Sequence, residues 1–298
     1  SYYGYSGEAG LGWKQKDGPF SLRLTGRHFR NDGHPQSWYG LKSATGTGTA
    51  VIGAVVDPGQ AVAGTPGIAA SPIFAAQSPA AITQDQAKLK IGYDDGAITG
   101  QFLLAYWHNQ DRQYAPDCYL RDVAGNKICE GKVVFNGATW TASGANWSKT
   151  IRDEFLAGLK LAAPIADDTT LRLTLSTYQI ARSNGFTSDG YVGGQTGGTG
   201  TLAEQGPTGW YTADLTIENK TDRHELSAGL TANHYETNQT RYTLADWRSP
   251  SGKAFSTQTS GKTRQLSAWV EARFLMDSLT LTMGARYDNW RAFDGGLG

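Results

Sequence analysis

Among the 298 residues of this chain, those whose types could do chemistry are few: two cysteines, five histidines and some short acidic or glycine-bearing motifs. Cys118 and Cys129 stand in one polar stretch. Their spacing is not Cys-x-x-Cys and no histidine lies between them, so the pair reads as a disulfide rather than as metal ligands. In an oxidising compartment such a link contributes ~3 kcal/mol of closure entropy. His28, His34, His108, His224 and His234 show no close ligand spacing, so no metal site or cofactor is expected. Ser260-Gly261-Lys262-Thr263 has the tail of a phosphate-binding loop. Ser256 stands where the leading glycine belongs, and no apolar parallel strand precedes it, so nucleotide binding is not indicated. Asp94-Asp95 and Asp167-Asp168 are turn chemistry rather than paired acid and base. No Gly-x-Ser-x-Gly elbow is present, and no catalytic residue is assigned.

One further constellation suits ligand contact. Arg30-Asn31-Asp32-Gly33-His34-Pro35-Gln36-Ser37-Trp38-Tyr39 mixes aromatic and polar groups at the start of a long loop. Arg30, His34, Trp38 and Tyr39 are its candidate ligand-binding residues. A surface turn built by Asp32-Gly33 and Pro35, with the aromatics packed on neighbouring loops, explains the same residues equally well.

The elements that must position these residues are strands. Phe20, Leu22 and Leu24 alternate with Ser21, Arg23, Thr25 and Arg27; Leu171, Leu173 and Leu175 alternate with Arg172, Thr174 and Ser176. Ten such runs are expected, over 5–14, 20–29, 86–93, 97–108, 149–163, 169–181, 208–218, 223–236, 262–274 and 279–291. Each is about ten residues, the length that crosses a bilayer at a tilt. Tight polar turns, such as Asp94-Asp95-Gly96 and Asn219-Lys220-Thr221-Asp222, take strict turns with long loops over 30–84, 109–148, 183–207 and 237–261. Short turns on one rim and long loops on the other are the pattern of a transmembrane β-barrel. The charged alternates (Arg23, Arg27, Lys88, Lys90, Arg172, Asp214, Glu218, Glu225, Glu271, Arg273, Arg286) then face a wet lumen. On the lipid side an Arg or Lys at mid-membrane would cost ~2–4 kcal/mol. A soluble antiparallel sandwich is the rival reading, and it needs neither such long strands nor one rim of loops.

Composition agrees. Charged residues are 18% of the chain, below the roughly 25% of a soluble domain. Lys plus Arg equals Asp plus Glu at 27 each, so nothing draws nucleic acid. A mean hydropathy of −0.43 suits strands with only one greasy face. No apolar run reaches a spanning helix, and the most apolar loop stretch, 61–82, is broken by Pro66, Pro72 and Pro79. Trp13, Tyr93, Tyr106, Trp107, Tyr178, Trp210, Tyr211, Tyr235, Tyr287 and Trp290 near strand ends read as interfacial belts. Gly193-Gly194-Gln195-Thr196-Gly197-Gly198-Thr199-Gly200 reads as flexible linker.

Leu281-Thr282-Met283-Gly284-Ala285-Arg286-Tyr287-Asp288-Asn289-Trp290 resembles a mid-barrel strand of TonB-dependent outer-membrane receptors, whose strands often read Gly-x-Arg-Tyr-Asp before an aromatic. The stretch 28–39, with Asp-Gly-x-Pro after a strand, is similar to the same family. The resemblance implies a larger barrel in a Gram-negative cell outer membrane. A plug fills that barrel, and nutrient import is powered by the TonB complex; an iron chelate such as a siderophore is the commonest cargo. The expected partners are outer-membrane lipids, a small-molecule ligand such as a metal chelate and, through the plug, TonB.

The chain is therefore expected to be all-β: part of one antiparallel transmembrane β-barrel, with about ten strands over 1–298. No signal peptide is expected within it, and plug and closing strands are expected outside it. A self-contained passive porin-like channel is the alternative, and an outer-membrane hydrolase built from distant strands the third.

Overall fold

The computed structural model describes residues 3–35, 37–56, 71–113 and 115–298. The first hairpin pairs β1 (Gly4–Lys14) with β2 (Phe20–Asn31). The first long loop carries β3 (Trp38–Gly40), β4 (Lys42–Ser43), β5 (Thr49–Ile52) and β6 (Ile73–Ala76). Residues 61–70 of the proline-interrupted apolar stretch lie outside the described residues. The second hairpin is β7 (Ala80–Asp94) and β8 (Thr99–Gln113), and the second loop holds β9 (Asp117–Cys118), β10 (Arg121–Asp122), β11 (Gly131–Phe135) and β12 (Ala138–Ala142). Then come β13 (Ser148–Ala166), β14 (Thr169–Ser188), a helical turn α1 (Tyr191–Thr196), β15 (Gly200–Gln205), β16 (Thr208–Lys220), β17 (His224–Leu244), β18 (Ala254–Met276) and β19 (Leu279–Leu297).

The wall is one antiparallel sheet in sequence order from β1 to β19, with the loop strands left out. β15 pairs the far ends of β14 and β17, while β16 pairs their near ends. The two are halves of one strand broken at Gly206-Pro207, because Pro has no N–H to give the ladder. The wall thus has the ten strand positions that the alternation implied.

Several strands are much longer than the alternation suggested: β17 has 21 residues and β18 has 23. The reason is local. Beyond Glu236 the chain reads Thr237-Asn238-Gln239-Thr240-Arg241, polar on both faces, yet its backbone ladder to β18 continues through Thr243. Pairing persists where the period-2 signal has stopped.

Register fixes two faces. On one, Leu24, Leu89, Leu104, Ala157, Leu173, Leu215, Leu230 and Val270 follow one another across neighbouring strands. Leu24, Leu104, Leu215, Leu230, Val270 and Met283 are between 40% and 58% exposed. No second layer covers this band, which rules out the sandwich. The other face carries the charges, and many are paired across strands: Arg172 with Glu218 at 2.8 Å, and Arg273 with Glu225 at 2.9 Å. All five short turns lie on one rim.

The packed apolar interior is elsewhere. Leu41, Phe74, Leu120 and Val133 are fully buried in a core built by the first two long loops. Around it lie a five-stranded sheet (β10-β5-β11-β12-β4) and a three-stranded one (β3-β6-β9). Each side chain of this size contributes ~1.5–3 kcal/mol by burial. A second core, Phe186, Leu202, Leu244 and Trp247, joins the third and fourth loops.

Candidate functional site

The charged face is concave. A hollow of 590 Å³ in it is lined by Glu8, Arg27, Lys88, Trp107, Glu154 and Tyr178, among others. β1, β2 and β7 supply its basic side. Arg23 stands directly opposite Lys90, and Thr25 opposite Lys88. Like charges facing each other across a ladder are unfavourable, and Arg23, Lys88 and Lys90 have no acid paired to them among the described residues. Around the curve charged groups have polar partners instead: Arg286 reaches Asp288 at 2.9 Å, and Asp214 accepts from Thr231 Oγ1 at 2.7 Å.

A row of rings crosses this face nearer the loop rim. Trp107 is opposite Glu154, Leu156 opposite Tyr178, Tyr178 opposite Trp210, and Trp210 opposite Tyr235. Tyr178 and Trp210 stack with centroids 4.4 Å apart, a geometry that adds ~0.5–1.5 kcal/mol beyond burial. Arg152 stands 3.5 Å from Glu154 at the same level, and its Nε is buried without a hydrogen bond. These aromatics correct the belt reading. Trp13, Tyr93, Tyr106, Tyr211 and Tyr287 lie on the apolar face as belts require, but Trp107, Tyr178, Trp210, Tyr235 and Trp290 share a face with the charges. The signal was available: Trp210 has the parity of Asp214 and Glu218.

Arg30, His34, Trp38 and Tyr39 meet different surroundings. Arg30 lies opposite Tyr5 and Thr83, on the parity of Leu22 and Leu24, and is exposed on the convex side. His34 is exposed. Trp38 is 47% exposed, its parity in β3 opposite to that of Tyr39. Tyr39 packs against the loop core, with its ring 6.1 Å from Phe74. Burial raises its hydroxyl pKa, while a hydrogen bond from the Asn146 main chain acts the other way.

Cys118 and Cys129 form a disulfide across that core, with Cα atoms 5.5 Å apart, and both are buried. The link ties β9 to the approach to β11. Among the described residues no group of three or more His, Cys, Asp or Glu is arranged to hold a metal ion.

The glycine-rich third loop is not a linker. Its glycines are demanded by close packing. A Cβ on Gly194 would fall 1.9 Å from the Trp147 ring, and Gly197, at φ 88°, has Arg248 at 1.8 Å from the same point. Trp247 Nε1 donates to Gly194 O at 2.9 Å, and Tyr191 N donates to Glu130 Oε2 at 2.8 Å. Loops two, three and four are thereby joined on the long-loop rim. In the fourth loop Arg248 holds the Asp246 carboxyl below the usual carboxylate range through side-chain and backbone hydrogen bonds.

A wall with one greasy convex face, one charged concave face and a packed loop layer on a single rim has a matching family model, TonB dependent receptor-like, beta-barrel, over residues 83–298. The chain belongs to this family. Its members are outer-membrane β-barrels, so the apolar band is the lipid-facing surface of a transmembrane barrel and the concave face its lumen. Solved structures agree on the fold. The unliganded ferric citrate transporter FecA superposes with a TM-score of 0.59 at 13% identity, covering 99% of this chain and 39% of that one. The ferripyoverdine receptor of Pseudomonas aeruginosa gives 0.58 at 14%, covering 98% and 36%. The chain spans less than two fifths of the length of either. No curated protein matches the sequence. No helix among the described residues is long and apolar enough to cross a membrane; in this family the strands do so.

Proposed function

We propose that this chain is part of the wall and outer cap of a TonB-dependent receptor in a Gram-negative outer membrane that imports a scarce nutrient, an iron chelate of the siderophore type. The plug and the strands that close the cylinder belong, on this reading, to the rest of the protein. The observation that carries the proposal is the lumenal wall: unpaired Arg23, Lys88 and Lys90 on one side, and the ring row Trp107, Tyr178, Trp210 and Tyr235 beside Arg152 near the loops. Cations on a concave wall attract anionic cargo. Aromatic faces and edges suit the flat, conjugated or catecholic groups that chelate iron. The names of the solved neighbours, a ferric citrate transporter and a ferripyoverdine receptor, support the same class of cargo. On the cap, Trp38 and His34 are the proposed first contacts, and Tyr39 holds the scaffold beneath them; Arg30, on the convex side of β2, is not among them. TonB is the proposed partner, reached through the plug; no catalytic step is proposed.

Growth of a deletion strain on single nutrient sources tests this. The expected result is loss of growth on one ferric chelate, restored by the wild-type gene and not by one carrying Arg23→Gln and Lys90→Gln. Undiminished growth on every ferric chelate, with loss on a glycan or on cobalamin, would overturn the cargo. A steady TonB-independent conductance of the purified protein in a planar bilayer would favour a passive pore.

A further inference from the structure

Three basic side chains lie in register on the convex face where the apolar band ends. His234 is opposite Arg264, and Arg264 is opposite Arg291. All three have the parity of Leu230, Ala268 and Tyr287, so they point away from the lumen. They stand on the long-loop side of the band, since the β18–β19 turn is at the other end. Two guanidiniums directly opposite on a sheet repel each other and cannot shed their charge. Several other basic groups on this rim have acids. His28 meets Asp85 at 2.7 Å, Arg182 and His108 both meet Asp153 at 2.6 Å, and Lys262, next in line above Arg264, meets Asp294 at 3.5 Å. Arg264 and Arg291 have no ion pair among the described residues, and both are exposed.

Directly beneath them the greasy surface is grooved. A depression of 500 Å³ runs from β8 to β18, with Phe102, Leu175, Tyr211 and Leu266 as walls. Small residues make its floor: Ala157, Ala213 and Ala232, the last two opposite each other in register. His234 and Arg264 line its end. The His234 ring lies between Tyr211 and Phe293, 6.4 and 6.3 Å away. A long apolar slot that ends in adjacent fixed cations has the chemistry of one ligand class: an acyl chain joined to a phosphate.

We propose that Arg264 and Arg291, flanked by His234, clamp the phosphate of an anionic lipid in the leaflet facing the long loops, and that an acyl chain of that lipid lies in the groove below. A phosphate between the arginines removes their repulsion and forms charge-assisted hydrogen bonds with both. Its setting at the headgroup level makes those bonds stronger than in open water. The proposal rests on the membrane-spanning reading of the wall.

The test uses the full-length protein purified in detergent and native mass spectrometry with a diphosphorylated glycolipid and its dephosphorylated form. Wild type is expected to retain the phosphorylated lipid preferentially. Arg264→Gln with Arg291→Gln should weaken that retention about 30-fold, each charge near a headgroup contributing a factor of about five. Arg264→Lys with Arg291→Lys should keep most of it. Arg286→Gln, a lumenal change, should leave it intact. Equal retention of both lipid forms, displacement by millimolar inorganic phosphate, or equal loss with Arg286→Gln would overturn the site. Membrane fractionation separates the two claims. Wild type that inserts, with a double variant that binds normally, removes the lipid site alone; wild type absent from the outer-membrane fraction removes the spanning reading as well.

Discussion

The wall and the cap of this molecule treat apolar side chains in opposite ways. In the wall, Leu215 and Leu230 face each other in register and stay 40% and 58% exposed. In the cap, Phe74 and Leu120 are wholly enclosed. Both regions are β-sheet, and both are cut from the same residue types. The difference lies in what excludes water. The cap builds its own interior from three strands of one loop sheet, five of another and a disulfide. The wall leaves that task to the bilayer, and its sheet needs no second layer. The most tightly packed residues therefore belong to the loops on one rim and not to the wall.

Substitutions separate the two solvents. The largest effect is expected in the cap: Phe74→Ala should cost ~3–5 kcal/mol of local stability. Amide exchange at Leu120 and Val133 should rise while the ladders of β16 and β17 keep their protection. Equal loss of protection in wall and cap would show that the two do not fold as separate cooperative units. Next is Leu215→Arg, which puts a charge in the lipid-facing band between Leu173 and Leu230 and should cost ~2–4 kcal/mol in vesicles. Thr212→Arg, one face over and lumenal, should cost far less. Denaturant titration of the vesicle-inserted protein compares them, and matching costs would mean that the faces are wrongly assigned.

The smallest effect concerns pH. The folded Asp246 carboxyl titrates below its unfolded value because Arg248 bonds to it. Its contribution is complete above the ordinary carboxylate pKa and is lost as pH falls through the lowered folded one. Acidification across that window should loosen the fourth loop, seen as faster exchange at the Trp247 indole N–H. Asp246→Asn should abolish the pH dependence of the protection factor, the observed exchange divided by the intrinsic rate at each pH.

Much of the wall was legible in the sequence for a simple reason. A strand with solvent on one side and hydrocarbon on the other must alternate, and runs such as Leu279-Thr280-Leu281-Thr282-Met283 leave no second way to be read. The Cys118–Cys129 pairing was equally legible, since the chain offers no other cysteine. The aromatic rings were only half read. Position near a strand end suggests belts, whereas parity puts Trp107, Tyr178 and Trp210 with the charges. The glycine-rich third loop was misread because composition reports freedom of the unfolded chain. It is silent on Trp147 and Arg248, which come from 47 and 51 residues away from Gly194 and Gly197 along the chain.

What the sequence alone determined is the wall: ten strand positions, two faces of opposite solvent and one rim of long loops, all consequences of local periodicity and turn chemistry. What only the tertiary structure decided is everything that depends on neighbours distant in the chain. The first two loops share one core, Tyr39 is scaffold where Trp38 is surface, and Arg264 meets Arg291 above a groove. Contacts of that kind are set by register between strands, and register is a property of the assembled sheet.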